Sequence, residues 1–212
     1  MAISFKIQKK SKTTAGRRGV IHTRHGDIAT PAFMTIATKA AVKSLGADDL
    51  AALAPDIVLS NTYHLWRQPG HELIKQAGGL HQFMQWPKPI LTDSGGYQVF
   101  SLAQHRQLTE AGVEFKDPKT GERCFLSPEK AIDIQTALGV DLMMVLDECP
   151  PYPCPKKYAE DSLALTTRWA ARCQDQWQKQ PAAARWGRGL FGIVQGSVHQ
   201  KLREQSAQEI TA

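Results

Sequence analysis

The chain has 212 residues, 42% hydrophobic and 22% charged, a balance that supports a buried core and argues against intrinsic disorder. No apolar segment approaches the roughly 18 residues of a membrane span and no apolar signal core follows the first residues, so a cytoplasmic protein away from membranes is expected. A net charge of +6, with Lys6, Lys9, Lys10, Lys12, Arg17, Arg18 and Arg24 crowded near the start, suits a nucleic-acid partner and equally a solvated basic surface.

Taken in order, Phe5 and Ile7 alternate with polar neighbours, and Gly19-Val20-Ile21 and Ile28-Ala29-Thr30 flank the turn-prone His25-Gly26-Asp27, which predicts an opening hairpin. Residues 31–37 read as a buried strand, and 45–53 as a helix with Leu50, Leu53 and Ala54 at helical spacing. Asp56 to Ser60 is the next apolar strand, followed by a short helix over Glu72 to Gln76 that Gly78 and Gly79 stop. Pro89 to Thr92 is a third strand, running into Asp93 and the Gly95-Gly96 turn. Residues 113–126 then form a hairpin around Asp117-Pro118.

Ser127-Pro128-Glu129 has the chemistry of a helix start, with Ala131, Ile134 and Leu138 facing inward and Gly139 at the end. Asp141 to Leu146 is a fourth strand ending at Asp147. A long helix from about Tyr158 to Gln178 follows, carrying Leu163, Ala170, Cys173 and Trp177 on one stripe. Gly189 to Val194 is a fifth strand ending at Gln195, and residues 199–210 are helical. Buried, non-alternating strands separated by helices call for a parallel sheet covered by helices. Thr38-Lys39-Ala40-Ala41-Val42 is not a glycine-rich phosphate turn, which disfavours a doubly wound sheet. Polar residues at strand ends, namely Asn61, Asp93, Asp147 and Gln195, favour a (β/α)8 TIM barrel. With about five βα units against the eight of a closed barrel, the expected organisation is one incomplete barrel domain over 1–212, its sheet edge exposed and prone to association.

In a barrel, Asp93, Asp147 and Gln195 would converge on one pocket. A carboxylate accepts two parallel hydrogen bonds from adjacent N–H donors and a carboxamide supplies both a donor and an acceptor, the pattern that a guanine edge demands. Tyr97 offers a stacking face and Asp93 a proton-transfer group. Against these stand plainer readings: an ordinary turn with a buried tyrosine at 93–97, His22 and His25 facing solvent beside a hairpin, five tryptophans used for packing, and Cys124, Cys149, Cys154 and Cys173 as reduced thiols without metal-ligand spacing.

Four segments together resemble the bacterial tRNA-guanine transglycosylases: Thr92 to Val99 (TDSGGYQV), Ser60 to Leu65 (SNTYHL), Asp147-Glu148-Cys149 with the following Pro-Tyr-Pro, and Gly192 to Ser197 (GIVQGS). The resemblance runs from about residue 3 to the end, in the family's order. It implies replacement of an anticodon guanine by a 7-deazaguanine, the queuosine precursor preQ1, through a covalent ribosyl-enzyme intermediate on tRNA with a GUN anticodon. By motif, Asp93 would be the general acid/base, Ser94, Gly95, Gly96 and Tyr97 would line the base pocket, and Asp147 and Gln195 would bind the polar edge of the base, with Asn61 near the ribose or a catalytic carboxylate. The nucleophilic aspartate and the three-cysteine, one-histidine zinc site would lie beyond residue 212, so no metal or other cofactor is expected on this chain, and the full-length family implies a homodimer. Glu148, adjacent to Asp147, would point the other way on a strand and is not assigned as nucleophile. A non-catalytic tRNA-binding or partner subunit, and a barrel glycosidase using Asp93 with Asp147, are the alternatives.

Overall fold

The computed structural model describes residues 3–102 and 106–212, and the chain divides into two compact units. The first comprises residues up to Asp93 together with Gln135–Met143 and Gln180–Gly189; the second comprises Ser94–Ile134, Met144–Lys179 and Leu190–Ala212.

The first unit begins with an antiparallel meander of β1 (Ser4–Lys10), β2 (Arg17–Thr23) and β3 (Gly26–Thr30), in which Ile21 sits opposite both Phe5 and Ile28. The expected hairpin is therefore the second half of a three-stranded sheet. The expected strand over 31–37 shrinks to β4 (Thr35–Ile36), paired through Thr35↔Val58 and Ile36↔Leu59. Pro31 has no N–H to give a ladder, and Phe33 is 82% exposed, so the apolar composition of this stretch does not report burial. In α1 (Ala47–Leu53) only Leu50 is buried and Leu53 lies in solvent, against the expectation that both face inward.

There follow β5 (Val58–Ser60), α2 (Thr62–Arg67), α3 (His71–Gln76), α4 (Leu80–Met84) and β6 (Ile90–Thr92). Their inward residues, Ile57, Val58, Leu65, Ile74, Leu80 and Ile90, are fully buried.

The second unit starts with α5 (Gly96–Leu102) and the antiparallel sheet β7 (Arg106–Thr109), β8 (Gly112–Lys116), β9 (Arg123–Leu126). Helix α6 (Pro128–Leu138) runs from the second unit into the first, where β10 (Leu142–Met144) begins; α7 (Lys156–Lys179) and α9 (Gln200–Thr211) belong to the second unit, α8 (Ala182–Arg185) to the first, and β11 (Gly189–Phe191) starts in the first and ends in the second. Ser127 caps α6 as its sequence implies, its Oγ accepting from the Lys130 N–H at 3.2 Å. The long helix α7 holds the β7–β8 turn: Arg168 donates to both carboxylate oxygens of Glu110 at 2.9 and 2.8 Å, and the Trp169 indole N–H donates to the Glu110 carbonyl at 2.9 Å. Trp169 and Cys173 are fully buried beneath it.

Strands β4, β5, β6 and β10 pair in parallel and β11 lies beside β10, giving a five-stranded order β4-β5-β6-β10-β11 with β4 and β11 as edges. The chain is thus of the α/β class with a parallel sheet, as expected; Asn61 and Asp93 directly follow β5 and β6, whereas the expected strands 141–146 and 189–194 shrink to β10 and β11, which stop short of Asp147 and Gln195.

Candidate functional site

In the first unit, β5 and β6 stop side by side, and the polar residues that follow them meet. The Asp93 N–H reaches the Ser60 carbonyl at 3.4 Å, which extends the β5–β6 pairing by one residue. Asn61 caps α2 and donates a short hydrogen bond from Nδ2 to Asp93 Oδ2, while the Thr62 N–H donates to Oδ1 at 2.9 Å. The Thr62 hydroxyl also holds the Asp93 carbonyl at 2.5 Å. Asp93 is therefore a carboxylate whose two oxygens are oriented by neighbouring donors, the condition for a group that moves a proton at a fixed position. Asn61, placed by sequence near ribose or carboxylate, is on the carboxylate.

In the second unit, Asp147, Gln195 and Ser94 come together. Gln195 Nε2 donates to Asp147 Oδ2 at 2.7 Å, and the Ser94 hydroxyl lies 3.4 Å from Oδ1. Gln195 itself is fixed by its backbone N–H, which donates to Ser206 Oγ of α9 at 2.9 Å. Burial pushes Asp147 up to about 6; the Ser94 and Gln195 donors oppose that rise, and the adjacent Glu148 charge adds to it. At neutral pH the group is an ionised carboxylate with little internal compensation, and it gains from any further donors brought to it.

The two glycines differ in purpose. Gly95 has φ +82°, a left-handed conformation that a side chain resists. A Cβ on Gly96 would sit 2.9 Å from the Asp147 carbonyl, so Gly96 is required by close approach of the backbone. Tyr97, on the first turn of α5, is 63% exposed, so the plainer reading of a buried tyrosine is set aside and its ring is open for stacking.

Sequence reasoning found α7 but passed over the polar stripe by which it holds the residue after Asp147. One stripe of α7 grips the next residue: Glu148 N–H donates to Thr166 Oγ1 at 3.1 Å, Ser162 Oγ donates to the Glu148 carbonyl at 3.2 Å, and the Tyr158 hydroxyl donates to Glu148 Oε1 at 2.7 Å. Burial and this bond push Tyr158 up to about 12. Glu148 is 1% exposed and points away from the Asp147 cluster into α7. The fourfold spacing of Tyr158, Ser162 and Thr166 was a readable signal, hidden because polar residues at that spacing resemble a solvated face.

Comparison with known proteins decides the family. The sequence model described as "Queuine tRNA-ribosyltransferase" matches residues 11–212. Proteins named queuine tRNA-ribosyltransferase from Shouchella clausii, Halalkalibacterium halodurans and Staphylococcus aureus are 52%, 50% and 50% identical, over 100%, 100% and 99% of the chain. This chain belongs to the queuine tRNA-ribosyltransferase family. It spans about half the length of the curated relatives it matches, 55%, 54% and 54% of these three.

Within that family frame, the structure presents two groups, Asp93 with Asn61 and Thr62, and Asp147 with Gln195 and Ser94. The four cysteines are free, and among the described residues none joins a histidine in a ligand cluster. No described helix is long and apolar enough to cross a membrane.

Proposed function

We propose that this chain carries the guanine-recognition and proton-transfer groups of a tRNA base-exchange enzyme, a pentosyltransferase, and forms the N-terminal portion of a (β/α)8 barrel. The observation that carries the reading is the 2.7 Å bond between Gln195 Nε2 and Asp147 Oδ2. It aligns a carboxylate and a carboxamide edge to edge, so that Asp147 accepts the two N–H groups of a guanine edge while Gln195 adds a donor or an acceptor. The backbone at Gly95 and Gly96 lets the chain pass close to a flat ring, and Tyr97 offers it a face.

In the exchange, the bond between ribose C1′ and the guanine nitrogen breaks as a carboxylate takes the sugar, and the leaving base gains a proton. The incoming 7-deazaguanine loses a proton as it displaces that carboxylate. Asp93, with both oxygens oriented, is suited to deliver the first proton and to accept the second. No residue of 1–212 is assigned the attack on ribose. The base is reached only when flipped out of its stack, so tRNA with a GUN anticodon is the substrate we favour, with preQ1 as the incoming base, a homodimer as the working assembly and the cytoplasm as its place.

Two measurements test the proposal. Guanine should bind the chain in a calorimetric titration and lose that binding in Asp147→Asn; an unchanged affinity in the variant overturns the base-pocket assignment. In a chain of the relatives' full length, Asp93→Asn should abolish incorporation of labelled guanine into tRNA while guanine binding persists; wild-type incorporation overturns the acid/base assignment.

A further inference from the structure

A second constellation lies wholly in the first unit, at the end of β6 remote from Asp93. Asp141 immediately precedes β10 and its side chain has no exposed surface. His25, in the β2–β3 turn, places Nδ1 at 2.8 Å from Asp141 Oδ1; His81, in α4, places Nε2 at 3.0 Å from Oδ2. The two imidazoles stack with centroids 3.6 Å apart. All three ligand atoms fall within 4.8 Å of one another. We propose that His25, His81 and Asp141 bind one divalent transition-metal cation of zinc-like borderline softness.

The donor set is two imidazole nitrogens and one carboxylate oxygen, which suits zinc, cobalt or nickel ions and leaves a fourth position for water. Both carboxylate oxygens of Asp141 face the gap, Oδ1 toward His25 Nδ1 and Oδ2 toward His81 Nε2. The backbone N–H groups of His25 and Ile90, at 3.3 and 3.0 Å, fix its orientation, which is the outer support that metal-ligating carboxylates require. Bonds of about 2.1 Å in a tetrahedron separate ligands by about 3.4 Å, so the two nitrogen–oxygen pairs need open by only a few tenths of an ångström. Without metal, each imidazole fills the gap by donating its N–H. With metal, each neutral ring shifts that proton to its other nitrogen, His25 Nε2 or His81 Nδ1, neither of which has a hydrogen-bond partner among the described residues.

Access comes past His25, whose side chain is 26% exposed against 12% for His81. Arg188 lies within electrostatic reach of Asp141 and opposes a dication, which limits the affinity and favours a structural role at the strand starts over a catalytic one. The site shares no residue with the base-binding cluster, and its nitrogen and oxygen donors distinguish it from a cysteine-rich zinc site.

The test is titration of the metal-stripped chain with Co2+ and Zn2+, followed by calorimetry, absorption and imidazole 15N spectra. One equivalent should bind without a thiolate charge-transfer band, and His25 Nδ1 and His81 Nε2 should change from protonated to metal-bound. The unfolding midpoint should rise by about 5 to 10 °C at a hundredfold excess over Kd. His81→Asn should lose that equivalent. If this variant does not fold, the wild-type 15N spectra decide alone. Unmoved histidine resonances, or binding that appears only with thiolate absorption, overturn the proposal and leave the cluster as a hydrogen-bonded hub.

Discussion

Asp141 and Asp147 bracket β10, and their carboxylates are handled in opposite ways. Asp141 accepts from two imidazoles and two backbone N–H groups, and its pKa is driven down although burial works against it. Asp147 has the Gln195 amide and a Ser94 hydroxyl at 3.4 Å, with Glu148 beside it, and burial carries it up to about 6. Burial raises both; at Asp141 its four donors and the His81 charge outweigh it, and at Asp147 the Ser94, Gln195 and backbone donors do not. A carboxylate whose acceptor sites are filled stabilises the fold, whereas one left short of donors is available to a ligand.

The comparison breaks most sharply in stability. Asp141→Asn removes the anion from four donors and should cost about 3 to 5 kcal/mol in urea unfolding at pH 7, while Asp147→Asn should cost nothing or stabilise slightly. Equal losses would remove the distinction. Next is ligand affinity: Asp147→Asn forfeits two charge-assisted hydrogen bonds to guanine, about 3 kcal/mol or a hundredfold in Kd, read by calorimetry.

A third contrast is in pH. The folded-state value of Asp147 lies above its ordinary 3.8, so its contribution to stability is full below about pH 4 and fades as the pH rises through about 6, by at most about 3 kcal/mol. Urea titrations across that window should show the loss in wild type and not in Asp147→Asn. Asp141, with its value driven down, contributes in the other sense: its stabilisation is present above its ordinary value and is lost only in strong acid.

Smaller effects sharpen the picture. Tyr158→Phe leaves Glu148 Oε1 buried without its donor and should lower stability by about 1 to 2 kcal/mol, measured by urea unfolding. Ser94→Ala removes a contact at the limit of hydrogen bonding, and its effect on guanine Kd should stay below about 1 kcal/mol.

The difference between the two aspartates also explains what could be read from the sequence. Asp147, Gln195 and Asp93 were visible because each follows an apolar run in the sequence, where a polar residue interrupts it, although β10 and β11 themselves stop at Met144 and Phe191. Long α7 was visible through Leu163, Cys173 and Trp177, all buried. Asp141 was read only as the first residue of a strand: its histidines are 116 and 60 positions away, and no local pattern links them. His25 was expected in solvent and instead reaches Asp141.

Helices α2 and α4, of six and five residues, are too short for a 3.6-residue period to emerge. Helix α5 was missed because the Gly95-Gly96 pair reads as a turn. Strand β7 is exposed throughout, so it carries no apolar alternation.

The most direct test of the central claim is the pH dependence of guanine binding, measured by calorimetry from pH 4.5 to 8 in wild type and Asp147→Asn. If Asp147 accepts the guanine edge as a carboxylate, wild-type affinity should rise about tenfold per pH unit below about 6 and level off above it, and the variant should bind weakly at every pH. An affinity that ignores pH, or survives the substitution, would contradict the assignment of Asp147 to the base.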